Sequence, residues 1–334
     1  MNPPAGQPGR LRTDAAWMIG VDVGGTKVAA GLVDRCGEIG EHLRLPMNPR
    51  GTPEEGFAAV TFAVDTLLSR SGAGSAYPIG VCAPGPLDPR RGIVVNPPNV
   101  PCWRNFPLAE EIEKRYGVLA KVDNDANAAA LAESRWGAGK GYGSVFYAGI
   151  GTGIGTGVVF RGEIYHGRTG SAAEGGHITI DLNGPVCNCG KRGCIEALAS
   201  GTAIARRARE AAALEPDRAA ALLALAAGDV RAIRSETVGC AAAQGDPLAT
   251  AILSDTLEFL AIWLGNIVDL LEPEVIILGG GVSVLLGQHF GEMRSRIRRW
   301  CVNEKYGEIP IVPAHYGENA GIAGGAALCW PPID

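Results

Sequence analysis

No stretch of 18 uncharged apolar residues occurs, so the sequence pattern of a membrane-spanning helix is missing. The first 14 residues are polar and rich in proline and glycine, without an apolar segment. A secretory signal peptide is therefore not expected, and a frayed tail over 1–16 is. Glycine follows no strict three-residue period, which excludes a collagen-like chain. There is no GxxxxGK[ST] spacing, hence no Walker A loop. No basic excess exists either: the formal net charge is −5, which argues against a nucleic-acid footprint or a polybasic membrane patch. With 46% apolar and only 19% charged residues, a disordered chain is excluded.

What is present is glycine, 48 in 334 residues, or about twice the usual ~7%. These residues cluster at Gly24-Gly25, Gly149–Gly157, Gly279–Gly281 and Gly321–Gly325. Clustered glycines between apolar runs permit close backbone approach to a ligand, often a phosphate. The length suggests two domains. Nine cysteines are an odd count, and three crowd into Cys187–Cys194. One metal site in a cytoplasmic protein fits this better than a disulfide framework.

Trp17–Val23 and Lys27–Val33 read as strands joined by a tight glycine turn, with a third strand at Leu43–Pro46. Thr52-Pro53-Glu54-Glu55 reads as a capping box opening a helix that runs to Gly72. Ile79–Cys82 and Leu119–Val122 are expected strands, and Leu108–Tyr116 a helix closed by Gly117. The second half repeats the theme, with strands at Val145–Ala148 and Gly157–Phe160 around the Gly149–Gly157 turn. Asp246-Pro247 opens a long helix whose Leu253–Leu271 stripe is best read as core. Val275–Leu278 and Ile309–Val312 are strands, Asn319–Leu328 is a helix, and Ser200–Ala227 is an Ala/Arg-rich helix inserted in this half. The expected organisation is a small α/β domain over 17–124, joined by a C-terminal helix over 318–332. A large α/β domain over 125–317 would complete it, with a ligand crevice between the two.

Four motifs can carry chemistry. Asp22-Val23-Gly24-Gly25-Thr26-Lys27 lies between two strands, where backbone N–H groups can cradle phosphate and Asp22 can hold a phosphate-bound Mg²⁺. The Gly149–Gly157 run, with Thr152 and Thr156, resembles it; a strand follows, not the helix a dinucleotide fold requires. Asp123-Asn124-Asp125-Ala126-Asn127 joins a strand to a helix; alone it reads better as a helix cap, but the excess of Asp and Asn favours a functional role. Finally, His177 with Cys187, Cys189 and Cys194 places one imidazole and three thiolates within 18 residues, the donor set of a closed structural zinc site. Glu174 and Glu196 flank this knuckle, and carboxylates held there suit a hydroxyl-rich ligand.

To these add Ala83-Pro84-Gly85, Pro98-Asn99-x3-Trp103 and Gly279-Gly280-Gly281, all in order over 17–330. On this series the chain resembles the ROK family of sugar kinases. The resemblance implies the α/β actin/hexokinase-like ATPase fold and an ATP-dependent hexokinase-type phosphotransferase. It implies Asp125 as the general base, with Gly85, Asn99, Asn124, Glu174, His177 and Glu196 around the sugar. It assigns Asp22, Gly24, Gly25, Thr26 and Lys27 to one phosphate loop, Thr152 and Gly153 to the other, and Gly280 and Gly281 to the adenosine. It implies zinc on His177, Cys187, Cys189 and Cys194, and ATP with Mg²⁺ as cofactors.

Glucose is the expected hexose. N-acetylmannosamine, N-acetylglucosamine, mannose and fructose are the alternatives the family offers, and a non-catalytic sugar sensor is the alternative of a different class. The family's repressors carry a helix-turn-helix ahead of the kinase-like part, and only about 16 residues precede the first strand here, so no nucleic-acid partner is expected. Gly24-Gly25-Thr26-Lys27 resembles ATP-using members more than polyphosphate-using ones. No membrane partner is expected, and a homodimer is the default because relatives are often dimers.

Overall fold

The computed structural model describes residues 17–71 and 77–331. The expected tail over 1–16, the helix stop at Gly72 and position 332 lie outside these residues. The strands are β1 (Trp17–Val23), β2 (Lys27–Asp34), β3 (Ile39–Pro46), β4 (Ile79–Ala83), β5 (Leu87–Asp88), β6 (Ile93–Val94), β7 (Ala120–Asn124), β8 (Ser144–Ile150), β9 (Ile154–Phe160), β10 (Glu163–Ile164), β11 (Val275–Gly279) and β12 (Ile311–Pro313). The helices are α1 (Pro53–Ser71), α2 (Leu108–Tyr116), α3 (Asp125–Arg135), α4 (Ile195–Ala199), α5 (Gly201–Leu214), α6 (Ala220–Leu225), α7 (Ser235–Ala243), α8 (Pro247–Leu271), α9 (Gly281–Leu285), α10 (Phe290–Ile297) and α11 (Ala320–Cys329).

Two five-stranded sheets share one plan, ordered β3-β2-β1-β4-β7 and β10-β9-β8-β11-β12. In the first, β1 and β2 form an antiparallel hairpin, and β1, β4 and β7 run parallel. In the second, β8, β11 and β12 run parallel. The described residues fall into two compact units. One holds residues up to 143, 157–173 and those from 315 on; the other holds 144–156 and 174–314. This division differs from a boundary at Asn124. The reason is apolar packing: Ala128, Leu131 and Ala132 of α3 share a buried cluster with Cys82 and with Ala323, Ala327 and Leu328 of α11.

Local signals explain several helix ends. Thr52 Oγ1 accepts from the Glu55 N–H at 3.2 Å, and Glu55 Oε2 accepts from the Thr52 N–H at 3.1 Å, the reciprocal capping box. Gly117 closes α2 with φ 67°. Asp246 caps α8 by accepting from the Ala249 N–H at 2.7 Å, with Pro247 in the first turn. The α8 leucines are core: Leu253, Leu257, Leu260 and Leu264 are buried, beside Trp263, which meets Phe146 edge-on at 5.7 Å. By length and composition alone α8 could cross a membrane, but 61% of its apolar window is buried inside the protein. In the first unit α11 lies against the sheet backbone to backbone. A Cβ on Gly20 would sit 1.8 Å from the Ile322 carbonyl oxygen, and one on Gly80 1.7 Å from that of Gly325.

Three expectations are corrected. Ser200–Ala227 is two helices, α5 and α6, because Pro216 lacks an N–H and restricts Glu215 to φ −134°, ψ 69°. The glycine turn of the second sheet is confined to Gly151–Gly153, since β9 starts at Ile154, three residues earlier than Gly157. Thr156 therefore lies inside a strand, and its buried Oγ1 accepts from the Gly175 N–H at 2.8 Å.

Glu133 of α3 is fully buried. It accepts from the N–H groups of Ala138 (2.9 Å), His315 (2.8 Å) and Tyr316 (3.0 Å), tying α3 to the segment that leads into α11. Each amide left unpaired in a buried place costs about 1–3 kcal/mol. Glu133→Ala is expected to lose about 3 kcal/mol or more in denaturant unfolding, and Glu133→Gln to recover part of it.

Candidate active site

In the first unit, β1, β4 and β7 end level: Asp22 pairs with Cys82, and Cys82 with Asp123. Beyond these ends lie the Gly24–Lys27 turn, Gly85, and Asn124 with Asp125. Carboxyl ends of parallel strands are where open α/β sheets gather ligands. The turn is closed by Gly24 N–H donating to the Lys27 carbonyl at 2.9 Å. Thr26 and Lys27 are exposed, and the backbone of exposed Asn99 crowds Gly25: a Cβ there would lie 3.1 Å from the Asn99 oxygen. Burial raises the Asp22 carboxyl above its ordinary value; the Cys82 thiol, 3.4 Å away, and the charges of Arg44 and Lys27 pull it back. Burial pushes the Cys82 thiol well up, and the carboxylates of Asp22 and Asp125 add to the shift.

Asn124 is a helix cap. Its Oδ1 accepts from the N–H groups of Ala126 (2.9 Å) and Asn127 (3.4 Å). The amide's other end lies by Gly85, where a Cβ would be 3.6 Å from Asn124 Nδ2. Asp125 follows as the first helical residue and is exposed. Beneath it, buried Asp123 accepts from Asn124 N–H (2.7 Å) and Asn127 Nδ2 (3.1 Å), and pairs with His166 Nε2 at 2.6 Å. This anchor holds the strand-to-helix turn that presents Asp125. His166 is 43 residues away in sequence and forms no motif with Asp123.

The second unit repeats the arrangement. Gly149 pairs with Gly279, so β8 and β11 end level and carry the Gly151–Gly153 turn and Gly280-Gly281. Gly280 has φ 84°, and a Cβ on it would lie 2.4 Å from the Ile150 oxygen. Beside these ends is a cavity of about 410 Å³ lined by Thr152, Thr202, Arg209, Ser235, Glu236 and Gly281, among others. Thr202 Oγ1 donates to the Thr152 carbonyl at 2.8 Å, and Gly201 N–H to that of Gly151 at 2.7 Å. The 200–234 region, for which the sequence offers no chemistry, therefore supplies part of this wall.

The knuckle lies in the same unit. The ligating atoms of His177, Cys187, Cys189 and Cys194 all fall within 4.8 Å of one another. Cys189 Sγ lies 3.7 Å from Cys194 Sγ, and Cys187 Sγ 3.6 Å from His177 Nδ1. A tetrahedral zinc with its usual bond lengths demands S···S of about 3.8 Å and S···N of about 3.6 Å, so the donor set fits. Burial raises the Cys187 and Cys194 thiols, so a bound cation is what would hold them as thiolates. Gly190 and Gly193 turn the loop with φ 89° and 68°.

Glu196 links the knuckle to the glycine turn. Its Oε2 accepts from the Ile154 N–H at 2.9 Å, and its Oε1 lies 3.8 Å from Cys187 Sγ and 4.0 Å from His177 Nδ1. Glu174 is exposed and sits at the head of the 3₁₀ turn Gly175–His177. That turn is clamped from below by Trp263 Nε1, which donates to the Gly175 carbonyl at 3.0 Å.

The ROK family model matches residues 18–330. The chain belongs to the ROK family. It is 36% identical over 311 residues to the glucokinase of Thermotoga maritima, covering 93% of this chain and 96% of that one. It is likewise 36% identical to the glucokinase of Streptomyces coelicolor, covering 94% and 98%. Among solved structures it resembles a ROK family glucokinase from Streptomyces griseus in complex with glucose and AMPPNP, with TM-score 0.79, 37% identity and coverage of 93% and 98%. The fold is thus the hexokinase-like ATPase fold expected from the motif series.

Within this ROK chain the motif residues sort cleanly by unit. Asp22, Gly24, Gly25, Thr26, Lys27, Gly85, Asn99, Asn124 and Asp125 gather at one sheet end. Thr152, Gly153, Glu174, His177, Glu196, Gly280 and Gly281 belong to the other unit, with the knuckle. Motif reading missed His166, Thr202, Arg209 and Glu236. No periodicity or spacing marks them, because each reaches its place through packing of distant segments.

Proposed function

We propose that this chain is an ATP-dependent glucokinase that transfers the γ-phosphoryl group of ATP to the 6-hydroxyl of glucose. The observation that carries this reading is the exposed Asp125, held by the Asn124 cap and the Asp123 anchor, in a chain that matches glucokinases along nearly its whole length. Asp125 takes the proton of the attacking hydroxyl, which needs a carboxylate within hydrogen-bond reach of it. Asn99, Asn124, Glu174, His177 and Glu196 bind the sugar hydroxyls, the acids as charge-assisted acceptors, and Gly85 lines the pocket. The Asp22–Lys27 turn and Thr152 with Gly153 receive the phosphates through backbone N–H groups and hydroxyls. Gly280 and Gly281 allow the adenosine to approach the backbone. Phosphoryl transfer draws its rate from positioning and charge stabilisation. Mg²⁺ neutralises phosphate charge when bound, and Asp22 is the carboxylate placed to hold its hydration shell.

The knuckle holds a structural zinc in this reading, with four protein ligands and no open position. His177 uses Nδ1 toward the thiols, leaving Nε2 for the sugar. A cytoplasmic homodimer completes the proposal. ATP is favoured over polyphosphate by the short Gly24-Gly25-Thr26-Lys27 turn.

The test is ADP release from MgATP across free glucose, mannose, fructose and the two N-acetylhexosamines. Glucose is expected to give the highest kcat/KM. Turnover confined to an acetylated sugar would move the substrate to the N-acetylmannosamine or N-acetylglucosamine class. Silence with every sugar in zinc-replete protein would favour a sugar-binding sensor instead.

A further inference from the structure

A second cavity, of about 690 Å³, lies wholly within the first unit, behind the Asp123–His166 pair. Its volume is that of a small-molecule site. Leu131, Ile164 and Leu328 supply apolar wall, and exposed Arg91 and Lys121 stand on its lining. Arg135, the last residue of α3, lines it too and is only 8% exposed.

Arg135 makes no ion pair or side-chain hydrogen bond to any described residue. Its one resolved partner is the Trp136 ring, 5.8 Å from the guanidinium carbon. Its Nε is a buried donor with no acceptor, and so is the indole Nε1 of Trp330, which lines the same cavity. Burial alone lowers the Arg135 guanidinium from its ordinary value, and no acid offsets the shift. Three carboxylates of this wall are engaged elsewhere. Glu110 pairs with Lys114 at 2.7 Å, Glu113 accepts from the Ala120 N–H at 3.1 Å, and Asp123 pairs with His166. Glu163 stands exposed on β10. Buried charges are normally paired, and an unpaired one is a standing cost. Two orphan donors in one cavity, neither answered by a described carboxylate, describe the complement of an anion.

We propose that this cavity binds a small organic anion, a molecule with a phosphate monoester or carboxylate head, and that Arg135 grips the head as a planar fork. Lys121 and Arg91 draw it in, and the leucine and isoleucine wall takes its body. Guanidinium geometry matches both heads bidentately, so either chemistry fits. The site is separate from the phosphate turns, which lie at the ends of β1 and β8.

The test is calorimetric titration of the full chain with inorganic phosphate, glucose 6-phosphate and citrate. At least one probe is expected to bind, with Arg135→Gln weakening it about 10-fold or more and Lys121→Gln about threefold. Binding at the phosphate turns does not involve Arg135 and survives both changes. The response to phosphate probes against citrate identifies the head group. A second readout runs the other way: Arg135→Met removes a buried unpaired charge and is expected to leave Tm equal or raised. The proposal is overturned if no probe binds wild type more tightly than Arg135→Gln, or if Arg135→Met lowers Tm as a core truncation does. Should Arg135→Gln not fold, unchanged affinity in Lys121→Gln overturns it.

Discussion

Asp125→Asn is expected to lower kcat by at least ~10²-fold while leaving the KM for glucose within about threefold, the signature of a lost general base. Asparagine is the right replacement because Asp125 Oδ1 also accepts from its own Ala126 N–H at 2.8 Å. The amide oxygen keeps that contact, and Asn124 still caps α3, so the helix start survives. What disappears is only the capacity to take a proton. Steady-state kinetics with glucose and MgATP, alongside unchanged thermal unfolding, makes the measurement. Turnover within a few-fold of wild type in a folded variant would remove Asp125 from the role of base.

Removing the metal is expected to have the second large effect. Purified protein should carry one zinc per chain by elemental analysis, and Cys194→Ser should lose it. The four ligands are held by a loop with little apolar packing of its own. Cys187 N–H donates to the Lys191 carbonyl at 2.8 Å and Lys191 Nζ to that of His177 at 2.6 Å, both contacts between residues of the loop and its own ligands. Without the ion three thiols crowd one another, and the free energy of metal binding is lost from folding. A fall in Tm on the order of 10 °C is the expected result. Activity should fall by about 10–100-fold or more, because Glu196 holds the Ile154 N–H and the knuckle together and loses its orientation. Metal-free protein with unchanged Tm would show that the knuckle folds without an ion.

The parts of the molecule governed by near neighbours could be read from the chain alone. The Thr52–Glu55 capping box, the Asp246 cap, the left-handed Gly117 and both strand–turn–strand units rest on interactions a few residues long. Each was legible because the atoms that satisfy one another are close in sequence. The metal-ligand set was legible for the same reason, with all four donors inside 18 residues. Thr156 shows the limit of that logic. It sits in a glycine-rich run and reads as a loop hydroxyl, yet pairing in β9 buries it, where it serves the Gly175 N–H.

Tertiary structure alone decided the rest. Asp123 meets His166 across 43 residues, and Glu133 meets His315 across 182. The cavity beside Thr152 is completed by Thr202, Arg209 and Glu236 from two separate helices. None of these contacts has a local signature, because each partner is placed by the burial of other residues' apolar faces: α11 on its sheet, and α5 and α7 on α8. Arg135 is the extreme case, for a terminal arginine on an alanine-rich helix normally faces water. Here the packing of α3 against α11 closes over it and leaves a charge that no described residue answers.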